Sequence, residues 1–111
     1  MEDLELNKIK AIYEAINKIL QFTKDMVSIE ELESNLMAWD AVKMNLVVID
    51  EMDSKIDAEI KEHYNSVDWH KIKEAKPYVN SKYLGFDIEE IWLVIKEKMP
   101  DFKLQLERVL V

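Results

Sequence analysis

Between Leu4 and Met26, apolar side chains fall at Ile9, Ile12, Tyr13, Ile16, Ile19, Leu20 and Phe22. That spacing follows one face of a helix and not the alternation of a strand, so it predicts a long first helix. Ser28 and Glu31 come next in the order S-x-x-E. At that spacing a serine oxygen can accept a free backbone N–H at a helix start, and the glutamate can return the bond. A second helix is predicted there, broken or bent near Ser34 and Asn35.

The segment from Leu36 to Met52 is different, with Leu36, Met37, Ala38, Trp39, Val42, Met44, Leu46, Val47, Val48, Ile49 and Met52 distributed almost all round a helix. Such a helix is central in a bundle, or shared between the core and a subunit interface, or both. Ser54 is placed to cap a short helix carrying Ile56 and Ile60, and Asn65-Ser66 reads as a turn. Asp68 can cap a further turn of helix with Trp69 and Ile72. Pro77 interrupts it, because proline has no donor N–H and disfavours helical geometry in Lys76 before it. Lys76 to Gly85 is then an irregular stretch or a helix restart. Asp87 and Glu90 repeat the capping arrangement ahead of Ile88, Ile91, Trp92, Ile95 and Met99. Pro100 ends or kinks that helix, and a last one carries Phe102, Leu106, Val109 and Leu110. The expectation is an all-α, up-and-down bundle of four to five helices in a single domain over residues 1–111.

Composition narrows this picture. A single glycine, Gly85, and two prolines leave little material for tight hairpins, while apolar residues at 49% and charged residues at 34% are too apolar for a disordered chain. No apolar run approaches the roughly 18 residues of a membrane span, and Met1-Glu2-Asp3 lacks the basic start of a signal peptide. A cytoplasmic protein with no membrane partner is expected. With no cysteine, disulfides and thiolate metal sites are excluded.

The net charge of −8 argues against a general nucleic-acid coat and against DNA as a partner, since non-specific affinity comes from lysine and arginine neutralising phosphates. Any RNA contact has to be local. Two stretches are net positive: Lys8, Lys10, Lys18 and Lys24 against Glu14, and Lys71, Lys73, Lys76 and Lys82 against Glu74. The plain reading of each is a solvated helix face.

Few residues offer catalytic chemistry. His63 and His70 lie seven apart and cannot form a pair on one helical turn. Asp50, Glu51 and Asp53 read as a solvated charge run at a helix end. No glycine loop for phosphate and no Ser-His-Asp order is present, so neither a metal nor a cofactor is expected. Trp39, Trp69 and Trp92 read as core or interface aromatics, and the methionines as gap-fillers.

Three segments carry a resemblance. Asp40 to Glu51, with Ala41, Asn45, Leu46 and Ile49 in place, resembles a central helix written A-x-x-x-N-L-x-x-I-G-E-A. Trp69, then Lys76 through Tyr83, has the spacing of W-x-x-x-x-x-x-R-N-x-x-x-H-x-Y. Gly85-Phe86-Asp87, Ile91-Trp92 and Met99-Pro100 resemble a G-x-D, V-W and L-P tail. Together, in order, they are similar to the HepT-like branch of the HEPN family from about residue 8 onward.

That resemblance implies a helical homodimer encoded beside a minimal nucleotidyltransferase. Active members are metal-independent endoribonuclease toxins, neutralised when the nucleotidyltransferase antitoxin adds AMP to the motif tyrosine. In the motif a neutral histidine takes the proton of an RNA 2′-hydroxyl and a guanidinium holds the phosphorane oxygens. By motif position the catalytic set here is Lys76, Ser81 and Tyr83, with Tyr83 also the position of AMPylation. Lysine keeps the charge of arginine but not its two-pronged geometry, serine lacks basicity, Pro77 replaces the asparagine, and Asp50 and Met52 replace the central glycine and alanine. The leading expectation is a catalytically impaired relative that acts as a partner-binding or substrate-binding subunit. The alternatives are an active endoribonuclease drawing on Lys76, Ser81 and His70, and a purely structural or interaction bundle.

Overall fold

The computed structural model describes residues 2–77, 79, 80 and 85–110, with side chains for 4–77 and 85–110. It is an all-α bundle built around α1 (Glu2–Thr23), whose Ile9, Ile12, Ile16 and Ile19 have no exposed surface. Their spacing of three and four residues turns one stripe inward, as the periodicity predicts. Of the other apolar positions on α1, Tyr13 and Leu20 are half-buried and Phe22 is exposed, so the buried stripe is narrower than the apolar count.

Polar contacts from three side chains define the topology. Lys8 near the start of α1 donates to the carbonyl of Lys55, just past the end of α3 (Leu36–Ser54), at 3.1 Å. Tyr13 donates to Glu107 on α7 (Met99–Leu110) at 2.7 Å. At the other end, Lys96 donates to the carbonyls of Thr23 and Met26 at 3.0 and 2.7 Å, supplying the positive charge that the last turn of α1 lacks. α3 and α7 therefore both run antiparallel to α1. Phe102, Leu106 and Met99 close the core from α7, and Val42, Leu46 and Ile49 close it from α3.

Shorter helices join these: α2 (Ile29–Ser34), α4 (Ala58–His63) and α5 (Trp69–Ile72). The cap at α2 is not the box expected. Ser28 is the N-cap residue without a side-chain bond, and the Glu31 carboxylate accepts from the Val27 N–H at 3.3 Å. The stronger cap belongs to Asn35, whose Oδ1 accepts from the Ala38 N–H at 3.0 Å and starts α3 where a bend was predicted. Ser54 caps no helix either: its hydroxyl donates back to Glu51 at 2.7 Å, and α4 begins after Asp57. Asp68 and Asp87 act as predicted, accepting from the N–H groups of Lys71 and Glu90 at 3.2 Å each.

Between α5 and the last helices, Val79–Asn80 (β1) and Gly85–Phe86 (β2) pair antiparallel, Val79 opposite Phe86. A two-residue ribbon thus stands where an irregular stretch or a helix restart was expected. α6 (Ile88–Leu93) passes into a π turn over Val94–Lys98 and then into α7, so the helix continues through Pro100. Proline has no N–H and crowds the carbonyl four residues back. The wider turn, closed by the Met99 N–H on the Val94 carbonyl, relieves both problems without ending the helix. No helix among the described residues is long and apolar enough to cross a membrane.

Candidate functional site

The site begins at the end of α3. Ala38, Val42, Leu46 and Ile49 form its inner face, and the same periodicity turns Asp53 inward, where only 6% of its surface is exposed. A carboxylate held away from water requires an opposite charge. Lys61 on α4 provides it, with Nζ 3.0 Å from Asp53 Oδ1. The approach has the distance of an ion pair but not the angles of a hydrogen bond, so Oδ1 gains the charge while its bonding capacity goes unmet. Lys61 also lies over the ring of Trp69, 5.7 Å from its centroid, and the Trp69 Nε1–H is tied to the Tyr64 carbonyl at 3.1 Å. A buried carboxylate and a buried aromatic ring thereby restrain one ammonium group.

That ammonium lines a cavity of about 410 Å³ together with Asp50, Asp53, Ser54, Ile56, Lys73 and Lys76. Its volume is in the range of small-ligand sites. Three lysines face two carboxylates, one of them already paired, and they arrive from separate elements: α4 brings Lys61, and the turns after α5 bring Lys73 and Lys76. Buried Ala75 pins that turn to the core, and its N–H donates to the Ile72 carbonyl at 2.9 Å. Glu74, the acidic residue within the basic stretch, is drawn away into an ion pair with Lys98. Lys73 and Lys76, both exposed, line the cavity. Among the described residues no three of His, Asp and Glu come together as a metal site.

Of the motif positions, Lys76 is in this cavity. Ser81 and Tyr83 lie outside the described residues, as does Lys82, so their relation to Lys76 is not part of this geometry. His70 is exposed on α5 and does not line the cavity, and His63 belongs to a smaller hollow of about 230 Å³ with Glu5, Glu59, Ile60 and Tyr64. Asn45 donates to the Ala41 carbonyl at 2.8 Å within α3. Asp50, where the motif has glycine, adds a carboxylate to the cavity wall.

Lys61 and Asp53 were not singled out as a pair by the sequence, where Asp53 read as part of a solvated run. The signal was present, because Asp53 continues the series Val42, Leu46 and Ile49 on the inward face. No such signal marks Lys61, which reaches Asp53 only through the turn between α3 and α4.

The ribbon beside the motif is anchored on α3. Phe86 of β2 meets Trp39 edge-on at 6.3 Å, and Lys43 lies 5.2 and 5.4 Å from the two ring centroids while pairing with Asp40 at 3.2 Å.

The Ribonuclease HepT-like family pattern matches residues 12–109. A Methanocaldococcus jannaschii protein named as a putative RNase is 31% identical over 98 residues, which is 88% of this chain and 89% of the relative. A longer protein of the same organism, named as a gamma-glutamylcyclotransferase and putative RNase, is 28% identical over 99 residues, 89% of this chain and 44% of its own length. A Thermococcus cleftensis protein named probable ribonuclease HepT is 25% identical over 101 residues, 91% of each chain. No solved structure matches the chain. With the family pattern covering residues 12–109 and the all-α bundle in place, the chain belongs to the HepT-like ribonuclease family.

Proposed function

We propose that this protein binds RNA at the lysine-lined cavity with impaired power to cleave it, and that it acts as the HepT-like subunit of a cytoplasmic toxin–antitoxin pair with a minimal nucleotidyltransferase. The observation that carries the RNA part is the convergence of Lys61, Lys73 and Lys76 on one cavity in a chain of net charge −8. A local basic pocket in an acidic protein attracts a phosphate without coating nucleic acid at large. Cleavage needs more: a base for the 2′-hydroxyl and donors that fit the charged phosphorane. Lys76 supplies charge without the fork of a guanidinium, and Ser81 has no basicity of its own. Loss of a general base alone reduces rate by about 10²–10⁴-fold.

A fluorogenic RNA reporter, with and without EDTA, tests this. Little or no cleavage is expected, with partial recovery when Lys76→Arg and Ser81→His are combined. Robust EDTA-insensitive cleavage, abolished in Lys76→Ala, would establish the second reading, an active endoribonuclease. That reading is supported by the relatives, whose names assign them to the RNases.

The partner side of the reading rests on Tyr83, which keeps the motif position although the arginine and histidine do not. A tyrosine hydroxyl offered to a nucleotidyltransferase has to be near positive charge, which Lys76 can provide. Co-expression with the adjacent nucleotidyltransferase gene, then co-purification and intact mass, should find AMP on Tyr83. No association would remove the partner role. A homodimer belongs to the same proposal: Leu36, Met37 and Met44 on the outer side of α3 are 70%, 85% and 64% exposed, an apolar face that a second copy would cover. Light scattering at tens of micromolar measures it directly.

A further inference from the structure

We infer that Lys61 is a second phosphate-binding cation of the cavity, held ready by Asp53 and Trp69, and that with Lys76 it forms a two-point clamp in place of one guanidinium. The inference rests on the RNA-binding reading above and goes beyond it by naming a residue outside the motif. A single ammonium is a point charge, whereas a guanidinium grips two oxygens of one phosphate at once. Two ammonium groups lining one cavity can make the same two contacts if at least one of them is fixed beforehand.

Lys61 meets that condition. Its side chain is only 18% exposed, packed against a carboxylate that is itself 8% exposed, with the Trp69 ring at 5.7 Å. Holding a lysine in one place removes most of the rotamer entropy that an exposed lysine loses on binding. The ammonium has three N–H donors, and the single contact with Asp53 cannot take them all. Those donors border the cavity that Lys73 and Lys76 share. A phosphate oxygen there would satisfy them in the cavity that Lys76 also lines.

The probe is a short fluorescein-labelled oligoribonucleotide, 2′-O-methylated throughout so that it cannot be cleaved, titrated with the full chain over a range of salt. Lys61→Met should weaken binding about tenfold, the loss expected for a hydrogen bond to a charged group. The slope of log affinity against log salt should fall by less than about 0.7, the single-strand value for a whole phosphate contact, because Lys76 still faces the same phosphate. Lys76→Met should do the same, Lys61→Arg should retain most of the affinity, and Lys18→Met on α1, outside the cavity, should change nothing specific. Because Lys61→Met leaves Asp53 buried without its partner, the double variant Asp53→Leu/Lys61→Met is measured beside it. Removing both charges of a buried pair is often neutral for stability. Its loss of affinity and slope should match that of Lys61→Met, with a melting curve near that of the parent. Parent-like affinity in the folded double variant, with Lys76→Met weakened, overturns the clamp and leaves the RNA reading standing. If the parent chain does not bind, or Lys76→Met binds as well as the parent, the RNA reading of the cavity fails and the clamp with it.

Discussion

The two faces of α3 are made from similar side chains and have opposite surroundings. Inward, Ala38, Val42, Leu46 and Ile49 are 4% exposed or less. Outward, Met37 and Met44 stand largely in solvent and Val47 is 38% exposed. Hydropathy along the chain does not separate them, because burial depends on which neighbouring helix occupies each side. The inner face also carries a polar exception, Asp53, and that exception positions the lysine-lined cavity. The contrast separates a face that holds the fold from one that remains available to another molecule.

The largest effect should come from the inner face. Leu46→Ala is expected to destabilise the fold by about 2–5 kcal/mol, through lost transfer energy and the cavity left behind, read from the denaturant midpoint. Asp53→Leu without a change at Lys61 should follow, at about 3 kcal/mol, since it leaves an ammonium partly buried without its counter-charge. A cost much below that would mean that water reaches Lys61 freely, and the contrast between the two faces would be weaker at this end of α3. At the start of the helix, Asn35→Ala should cost about 1 kcal/mol by removing the bond to the Ala38 N–H, while Ser28→Ala ahead of α2 should cost a few tenths, because no cap bond is formed there. The smallest effect on the fold of one copy is expected for Met44→Glu, within about 0.5 kcal/mol. The same change should abolish the proposed dimer, read by light scattering. If Met44→Glu instead unfolds the chain at low concentration, folding and association are coupled, and the outer face is part of the core after all.

Much of this architecture was legible in the residues. The stripe from Ile9 to Ile19, the caps at Asp68 and Asp87, and the core positions Phe102 and Leu106 are local consequences of helical periodicity and of short side chains that can accept from free N–H groups. Misreadings arose where several local solutions competed. Ser28, Ser54 and Asn35 are all competent caps, and only Asn35 forms the expected kind of bond, because the direction of the entering chain decides which oxygen meets an N–H. Pro100 is compatible with a stop or a disturbance, and packing of Met99 and Phe102 against α1 favours continuation through a π turn.

The candidate site divides in the same way. The sequence by itself determined the helical class, the family resemblance, the lysine at the motif's arginine position and the absence of a histidine at Ser81, because these depend on residue identity and spacing. Only the tertiary structure decided that Asp53 is buried, that Lys61 pairs with it, that Glu74 turns to Lys98, and that Lys61, Lys73 and Lys76 face one cavity. Those facts depend on how the turns after α3 and α5 bring separate segments together. An ion pair between residues on different helices has no periodicity to announce it; it exists because burial of one charge is too costly unless another segment brings its opposite.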